Sequence, residues 1–343
     1  MNINNQIIGA DQPPYIIAEM SNNHMQDMDR AKAIIDAAMN AGADAVKIQT
    51  YDADSLTIDC DLDDFIIKDP LWAGQSYYQL YKNIAAPKSW TQELFRYARQ
   101  QGVTLFSSPF DKEAVRILEE VNCPAYKIAS FEAQDPELLA HVARTGKPVL
   151  VSTGVSNWNE IQETLLWLRQ AGAQDLVFLH CISSYPASEA DMNLNVLKRL
   201  ATLPVITGLS DHSLGNTAVL GAVALGARVI EKHFTLQRSD GGPDAEFSLE
   251  PEEFKSMAVQ ARALFQALGS DRIIDAPSRQ GNQHSRSVYC VKDIKAGERI
   301  SADNVRVIRP GFGLKPKHLP DVIGKKARAD IARGTAMSWE LLE

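Results

Sequence analysis

The sequence predicts a parallel (β/α)8 barrel, or TIM barrel, followed by a small β-rich domain, and three observations support this prediction. Short runs rich in Val, Ile, Leu and Phe recur eight times over about 250 residues. Amphipathic segments with a helical period separate these runs. After Leu268 the composition changes and the helical pattern stops. A doubly wound open sheet is the alternative, but eight units favour closure into a barrel.

Each apolar run is about six residues long, which suits a strand buried on both faces of a parallel sheet. The predicted strands span residues 15–20, 45–50, 103–108, 125–130, 148–153, 176–181, 205–210 and 229–234. The predicted helices between them include 30–41, 91–101, 112–120, 159–171 and 217–225. Several of these helices are followed by a glycine, as expected of a helix stop: Gly42, Gly172 and Gly226.

One insertion interrupts the alternation. Residues 52–89, between the second and third strands, are acidic at first and then aromatic. The aromatic part contains Trp72, Tyr77, Tyr78 and Tyr81, which suit core packing or a lid. Because a long strand-to-helix connection lies at the carboxyl ends of the strands, we expect this insertion to cover the site.

The end of the chain has a different pattern. A last helix over 252–268 completes the barrel, and a polar stretch then reads as a linker. We assign the barrel domain to residues 1–274, the linker to 275–285 and the tail domain to 286–343. Residues 287–291 and 299–308 carry strand-like patterns. A domain of this size is marginal by itself, so we expect it to dock on another surface.

Composition excludes several classes of partner. The net charge of -8 argues against a nucleic-acid groove or an anionic membrane as the main partner. The four cysteines have no metal-finger spacing, and Cys123 and Cys181 suit the core. No signal peptide or membrane span is visible, so we expect a cytoplasmic protein.

Polar residues concentrate where the predicted strands end, which is where a barrel carries its chemistry. They are Glu19, Lys47, Gln49, Ser107, Ser108, Lys127, Ser130, Glu132, Ser152, Ser183, Tyr185, Ser210, Asp211, His212, Glu231, Lys232 and His233. Two lysines, Lys47 and Lys127, fall in strand centres, where a buried charge needs a counterion. A phosphate or carboxylate held with the nearby hydroxyls is the simplest counterion. The alternative is a structural network in which the lysines pair with Glu19 and Glu132.

Two histidines suggest a metal. His212 and His233 end adjacent strands at equivalent depths, and Asp244 lies in the loop that follows. Imidazole with carboxylate and water suits Mn²⁺, Mg²⁺ or Fe²⁺ better than a closed zinc site. The remaining histidines are weaker candidates. We interpret His180 and His141 as structural, and His24 as either a substrate contact or a turn residue.

Two other functions remain open from the residues. In a metal-free aldolase, Lys127 or Lys232 would form a Schiff base with a carbonyl substrate. In a carbohydrate- or surface-binding protein, the tail would bind and the barrel would be a scaffold. The second is disfavoured because the polar residues lie on the barrel strands.

The motifs taken in order resemble the sialic acid synthase family over nearly the whole chain. The matching segments are 17–19, 22–24, 46–50, 107–111, 126–130, 152–154, 210–215, 231–235 and 242–244. The tail, through 292–298 and 309–313, resembles that family's antifreeze-like (SAF, β-clip) domain. Within the family, segments 71–74 and 78–82 with Phe131 and Ser183 look like the pseudaminic acid synthase branch.

The resemblance implies an activity. Phosphoenolpyruvate would condense with 2,4-diacetamido-2,4,6-trideoxy-β-L-altrose and water, giving pseudaminic acid and phosphate through C–O cleavage. The enzyme would be a transferase that forms a C–C bond at a metal-activated aldehyde. N-acetylneuraminate or legionaminate synthesis, the same chemistry on another amino sugar, is the alternative.

The resemblance also implies roles for residues. Phosphoenolpyruvate would be held by Lys47, Ser108, Lys127, Ser130, Ser152, Ser183 and Ser210, and Mn²⁺ or Mg²⁺ by His212 and His233. Candidates for sugar binding and proton transfer are Glu19, Gln49, Glu132, Tyr185 and Asp244. Arg309 of the tail would reach the sugar in a second subunit, which implies a domain-swapped homodimer.

Overall fold

The computed structural model describes residues 1–68, 74–272 and 282–343. Contacts divide the chain into two compact units, Met1–Gly269 and Ser270–Glu343. Residues 275–281 of the predicted linker, and Trp72 of the insertion, lie outside the described residues. Within the described ranges, no helix is long and apolar enough to cross a membrane.

Twelve strands are present in the described residues: β1 (Asn2–Ile3), β2 (Gln6–Ile7), β3 (Tyr15–Glu19), β4 (Ala45–Thr50), β5 (Thr104–Pro109), β6 (Tyr126–Ile128), β7 (Val149–Ser152), β8 (Leu176–Cys181), β9 (Ile206–Asp211), β10 (Val229–His233), β11 (Ser287–Cys290) and β12 (Val305–Ile308). Strands β3 to β10 form a closed parallel barrel in chain order, in which β10 pairs with β3. The predicted TIM barrel is therefore confirmed, and the open sheet is excluded.

The α-helices of the same ranges are α1 (Met28–Asn40), α2 (Ala53–Leu56), α3 (Tyr77–Ile84), α4 (Trp90–Gln101), α5 (Lys112–Glu120), α6 (Pro136–Ala143), α7 (Trp158–Gln170), α8 (Val196–Leu200), α9 (Thr217–Ala224), α10 (Pro251–Leu268) and α11 (Leu319–Val322). Asp27, Asp111, Asp135 and Asn157 cap four of them by accepting from backbone N–H groups of the first turn. These caps fix where the connections at the carboxyl end of the barrel enter their helices.

The barrel strands are buried along their lengths, which matches the apolar runs of the sequence. Strands β9 and β10 approach closely at Gly208, where a Cβ would collide with the backbone oxygen of Val229. The register places Glu19 beside Lys47 on one side and His233 on the other. Long-range pairing thus brings together groups far apart in the chain.

A short hairpin at the start of the chain is not evident from the sequence. Strands β1 and β2 pair across Asn4 and Asn5, which both adopt positive φ, as a tight hairpin turn requires. Ile3 and Ile8 are buried, and the side-chain amide of Asn4 donates to Oγ1 of Thr104, 3.0 Å away. Because Thr104 begins β5, the hairpin lies at the end of the barrel opposite the site.

The insertion lies at the carboxyl end of the barrel. It begins directly after β4 and contains α2 and α3, with residues 69–73 outside the described ranges. Its two ends are joined by Lys88, whose amine lies 2.7 Å from Asp52 and 3.5 Å from Asp111. The ring of Tyr81 on α3 packs edge-on against Tyr51, with centroids 6.1 Å apart. Tyr81 of α3 therefore contributes to packing next to the end of β4.

The second unit has a core of its own. Strands β11 and β12 pair antiparallel, and buried Val288, Ile294, Val305, Ile331 and Met337 are among its core residues. The strand predicted at 299–308 is shorter than expected. The side chain of Asn304 accepts from the backbone N–H of Ser301 and donates to the carbonyl of Arg299, which forms a turn before β12.

Candidate active site

The polar residues predicted from the strand ends come together at the carboxyl end of the barrel. Alternation along each strand points every second side chain inward, so residues two apart share the barrel interior. Buried polar residues at this end are Glu19, Lys47, Ser108, Lys127, Ser130, Ser152, Ser210, His212, Glu231 and His233. Gln49, Glu132, Ser183, Tyr185 and Asp244 lie at its rim and are more exposed.

Lys47 is the centre of a buried ionic group. Its amine lies 2.7 Å from Oε2 of Glu19 and 3.7 Å from Oε1 of Glu231, and it donates to Oγ of Ser108 at 3.2 Å. Burial opposes the charge, but the two carboxylates together raise the pKa of Lys47. The amine therefore stays protonated and holds both acids on one side of the mouth.

Glu231 is a site residue that the sequence prediction left out of its assignments. Its carboxylate accepts from Oγ of Ser210 at 2.9 Å, and its second oxygen is buried without a partner in the described residues. Burial would raise its pKa, but Lys47 and Lys127 lower it. For Glu19, which shares Lys47, burial dominates and raises the pKa. The sequence does contain a signal for Glu231. It precedes His233 by two residues on one strand, so the two side chains lie on the same face.

Lys127 is buried in a different way. Only 2% of this residue is exposed, and its amine donates to the carbonyl of Ile128 at 2.9 Å. Within the described ranges, no carboxylate lies in ion-pair distance of it, so the alternative pairing with Glu132 is not formed. Burial lowers the pKa of Lys127, although Glu231 partly offsets this. An anion at the mouth would supply the charge that this amine lacks.

Serine hydroxyls surround the two lysines. Oγ of Ser130 and Oγ of Ser183 lie 2.8 Å apart, and Oγ of Ser152 is buried with no partner in the described chain. Gly154 makes room for this group, because a Cβ there would collide with Oγ of Ser183. The arrangement offers several small donors around a cationic centre.

The two histidines face each other across the end of β9 and β10. Their ring centroids are 5.3 Å apart, and both rings pack against Phe247, which the sequence prediction did not single out. Nδ1 of His212 donates to the carbonyl of Ile182 at 2.9 Å, so Nε2 carries the free lone pair. Nδ1 of His233 is buried with no partner in the described chain. Burial lowers the pKa of both imidazoles, most strongly for His233.

This donor set fits a divalent cation that takes its other ligands from water and substrate. Neutral imidazoles with free nitrogens are what a metal requires, and the unpartnered Nδ1 of His233 is a buried polar atom without a protein partner. In the described part of the chain, no three His, Cys, Asp or Glu side chains cluster as a metal site. Asp244 therefore does not complete a three-ligand set with the histidines.

Asp244 belongs to a separate chain of hydrogen bonds. Its Oδ2 accepts from Oγ of Ser21 at 2.5 Å and from the backbone N–H of Asn22 at 3.4 Å. The side-chain amide of Gln49 donates to Ser21 at 3.1 Å and to Glu19 at 2.9 Å. Burial raises the pKa of Asp244. The chain of contacts connects the ionic group around Lys47 to the rim.

Two further candidates lie at the rim. Burial raises the pKa of Glu132 to about 6, and one of its oxygens has no partner in the described residues. The ring of Tyr185 packs on His212, with centroids 4.4 Å apart, while 43% of the residue is exposed. Tyr185 therefore borders the imidazoles, whereas Glu132 follows β6 and lies near enough to Lys127 for that amine to lower its pKa.

Lys232 lies away from the mouth. Its amine is fully buried, 2.6 Å from Oδ2 of Asp211, and it also donates to the backbone oxygen of Ser213. Since Glu231 and His233 point inward, alternation turns Lys232 to the outside of the barrel wall. It is therefore unavailable to form a Schiff base with a substrate at the mouth.

The three other histidines considered from the sequence have structural contacts. His180 is buried with Nε2 2.6 Å from the carbonyl of Met192, and Nδ1 of His141 lies 3.0 Å from the carbonyl of Glu137. Nδ1 of His24 accepts from the backbone N–H of Gln26, and its ring packs against Trp90. The turn role considered for His24 is thus the one that the structure displays.

Arg309 belongs to the second unit, where it is exposed directly after β12. The next residue, Pro310, accepts at its carbonyl from Oγ of Ser287. This contact fixes the backbone of the turn while the guanidinium stays exposed. Its role at the barrel of a second subunit stays a prediction.

Comparison with known proteins supplies the family. Residues 34–272 match the model of the NeuB family, and residues 285–343 match the SAF domain. The chain is 44% identical to the pseudaminic acid synthase of Campylobacter jejuni subsp. jejuni, over 96% of each chain. It is 39% identical to the pseudaminic acid synthase of Helicobacter pylori, over 97% of this chain and 98% of that one.

A solved structure shares the fold. The N-acetylneuraminic acid synthetase of Leptospira borgpetersenii, in complex with citrate, is similar with a TM-score of 0.73 and 30% identity. The match covers 82% of this chain and 93% of that one. The residues that meet at the barrel mouth lie within the span of the family model, except Glu19, Ser21 and Asn22, which precede it.

Proposed function

Because the chain belongs to the NeuB family and carries a SAF domain, we propose that it is a pseudaminic acid synthase. It condenses phosphoenolpyruvate with 2,4-diacetamido-2,4,6-trideoxy-β-L-altrose and water, and releases pseudaminic acid and phosphate. This makes it a transferase that forms a C–C bond. Two relatives that match nearly the full chain carry the name pseudaminic acid synthase, which supports this choice of sugar.

The observation that carries the proposal is the buried amine of Lys127. A buried lysine without an ion-pair partner is costly unless an anion meets it. Phosphoenolpyruvate brings a phosphate and a carboxylate, and Lys47 lies close enough to the same mouth to affect the pKa of Lys127. Charge-assisted hydrogen bonds from both amines would hold the substrate firmly.

The serines complete the proposed phosphoenolpyruvate site. Ser152 has a buried hydroxyl without a partner, and Ser130 and Ser183 bond only to each other or to Cys181 in the described chain. These hydroxyls can turn toward the oxygens of an incoming phosphate at little cost. Ser108 and Ser210 already bond to Lys47 and Glu231, and so hold the charged groups in place.

His212 and His233 would hold Mn²⁺ or Mg²⁺ beside this site. The cation would polarise the aldehyde oxygen of the sugar, which makes the aldehyde carbon electrophilic. Burial keeps both imidazoles neutral, as metal ligands must be. The carbonyl of Ile182 fixes the ring of His212 and directs its Nε2 away from the backbone.

The carboxyl groups serve proton transfer and sugar binding. C3 of phosphoenolpyruvate attacks the aldehyde carbon, water adds at C2, and phosphate leaves with cleavage of its C–O bond. Glu132, with a pKa of about 6, can both accept and release a proton near neutrality. Glu19, whose pKa burial also raises, lies between Lys47 and Gln49 and can orient the sugar.

We further infer that the working enzyme is a domain-swapped homodimer in the cytoplasm, where phosphoenolpyruvate is made. Arg309, exposed after β12, would contact the sugar in the partner's barrel. Docking there would also stabilise a tail domain of marginal size.

The function is tested by measuring phosphate release from phosphoenolpyruvate with three aldehyde sugars. They are 2,4-diacetamido-2,4,6-trideoxy-altrose, its mannose-configured counterpart and N-acetylmannosamine, each assayed with Mn²⁺ and with EDTA. We expect release with the altrose sugar alone, abolished by EDTA. Release with another sugar instead would assign the chain to legionaminate or N-acetylneuraminate synthesis.

No release with any sugar would leave Schiff-base chemistry as the competing function. Burial lowers the pKa of Lys127, as a Schiff-base lysine requires, so this alternative has a residue to support it. Borohydride would then trap a carbonyl substrate covalently on Lys127, and EDTA would have no effect. Trapping that persists in a Lys127→Met variant would contradict this alternative as well.

A further inference from the structure

The loop between β3 and α1 is strained next to the proposed site. Seven non-glycine residues of the described chain have positive φ, and four of them are asparagines, which tolerate this conformation. The other three are Ser21, Met25 and Gln26, and all lie in this loop. Backbone strain of this kind persists where the surrounding structure enforces it, and it concentrates at functional sites.

Ser21 is the buried member of these three. Its φ is 46°, and 4% of the residue is exposed. Its hydroxyl donates to Oδ2 of Asp244 at 2.5 Å and accepts from the side-chain amide of Gln49 at 3.1 Å. Since a hydroxyl has one proton, both of these contacts are satisfied together in one orientation. The left-handed backbone is what places the hydroxyl between the two groups.

The backbone around Asp244 is held by a separate contact. Oγ of Ser248 donates to the carbonyl of Asp244 at 2.6 Å, and the side-chain amide of Asn23 donates to Ser248 and to the carbonyl of Phe234. The carboxylate itself is held by Ser21 and, at a longer distance, by the N–H of Asn22. Removal of the Ser21 hydroxyl would therefore release the carboxylate while its loop stays in place.

We propose that Ser21 is a positioning residue for the sugar substrate. Its hydroxyl fixes Oδ2 of Asp244, which leaves Oδ1 to accept a hydrogen bond from an N–H or O–H group of the amino sugar. The same hydroxyl also accepts from Gln49, which donates to Glu19. This contact connects Asp244 to the ionic group around Lys47. The inference rests on the proposed function, since it assigns the sugar to this side of the mouth.

Glycine is the informative substitution at this position. It adopts a positive φ without strain, but it has no hydroxyl. The sequence thus keeps a residue that is unfavourable for the backbone and useful for Asp244. A positioning role and a structural role of Ser21 can therefore be distinguished. Loss of the hydroxyl lowers activity, whereas relief of the backbone strain raises stability.

The test compares Ser21→Gly with Asn122→Gly. Asn122 also has a positive φ, of 53°, but it is exposed after α5 and away from the site. Asn122→Gly should keep or raise the melting temperature, and Ser21→Gly should melt above a variant that loses the hydroxyl but keeps the strain. In Ser21→Gly alone, the KM for the sugar should rise about tenfold or more, because the released carboxylate of Asp244 would lose its hydrogen bond to the sugar. The KM for phosphoenolpyruvate and kcat should stay unchanged.

Ser21→Ala provides a second variant. It keeps the strain and loses the hydroxyl, so it should match Ser21→Gly in sugar KM but melt at a lower temperature. An unaltered sugar KM in Ser21→Gly would overturn the inference, as would an equal rise in the KM for phosphoenolpyruvate. Absence of phosphate release by the unmodified enzyme would instead overturn the proposed function, so the two failures are distinguishable.

Discussion

The two buried lysines at the barrel mouth differ in the negative charge around them. Lys47 is held by two carboxylates, whereas Lys127 at similar depth bonds to one backbone carbonyl. At the ends of β9 and β10, burial lowers the pKa of His212 and His233 and favours their neutral form. A mouth with free imidazole nitrogens and with an amine that has no carboxylate partner among the described residues can hold an anionic substrate and a metal at once.

At the residue scale, we predict that His212→Ala loses both Mn²⁺ binding and turnover. The variant removes one of the two imidazole nitrogens proposed to bind the metal. Each of two protein ligands contributes strongly to metal affinity. Mn²⁺ binding to the substrate-free enzyme is measured from the electron paramagnetic resonance signal of free Mn²⁺. His141→Ala, on the outer face of α6, is the control and should bind as the unmodified enzyme does.

Thermal melting without metal shows whether the barrel of His212→Ala is intact. An intact variant that still binds Mn²⁺ with unchanged affinity would remove His212 from the proposed metal site.

The barrel strands carry polar residues that face the mouth and others that face outward. In β10, Glu231 and His233 face the mouth, while Lys232 between them faces outward and pairs with Asp211 at the end of β9. Asp211 also accepts from the backbone N–H and hydroxyl of Ser213, and Lys232 donates to the carbonyls of Ser213 and Gly215. This buried pair therefore holds the loop that carries His212, without touching the substrate itself.

At the element scale, we predict that Lys232→Met destabilises the protein by roughly 3–5 kcal/mol, because it leaves the carboxylate of Asp211 buried and unpaired. The free energy of unfolding is measured by urea titration without metal. Lys295→Met is the control, since Lys295 pairs with Asp330 on the surface of the second unit and should contribute little. Equal stability of the two variants would show that the buried pair is not needed to hold the strand ends.

At the scale of the whole molecule, two compact units with separate cores make up the chain. The buried polar groups of the candidate site all belong to the first unit, and Arg309, which we propose acts in a second subunit, belongs to the other. If the tail of one subunit completes the site of the other, both the stability and the activity of the enzyme would depend on dimer formation.

We therefore predict that Arg309→Ala lowers activity in the pure variant and that mixing restores it. In a heterodimer of Arg309→Ala with His212→Ala, a swapped arrangement leaves one site intact, with an unmodified barrel and the partner's unmodified tail. The purified heterodimer would then have about one half of the normal activity per subunit, because one of its two sites is intact. The two chains are co-expressed with different tags, and phosphate release is measured on the doubly purified dimer.

Two outcomes would contradict this prediction. No recovery in the heterodimer would mean that each tail serves its own barrel or none. Full activity of Arg309→Ala alone would remove the arginine from the site.

The sequence determined the barrel and most of its site. Apolar runs marked the eight strands to within about two residues, because strands buried on both faces leave little freedom in composition. Spacing of two placed Lys47 with Gln49, and His233 with Glu231, on one face. The family was identified from several motifs in a fixed order. Each motif alone is a weak match, but the whole series in one sequence is specific.

Only the tertiary structure decided which groups are partners. It joined Lys47 to Glu19 and Glu231, gave Lys127 no carboxylate partner among the described residues, and turned Lys232 away from the mouth. It also revealed the left-handed backbone of Ser21 that brings its hydroxyl to Asp244. The physical reason is range: local pattern fixes the face on which a side chain lies, whereas closure and register of the barrel fix distances between residues that are far apart in the chain.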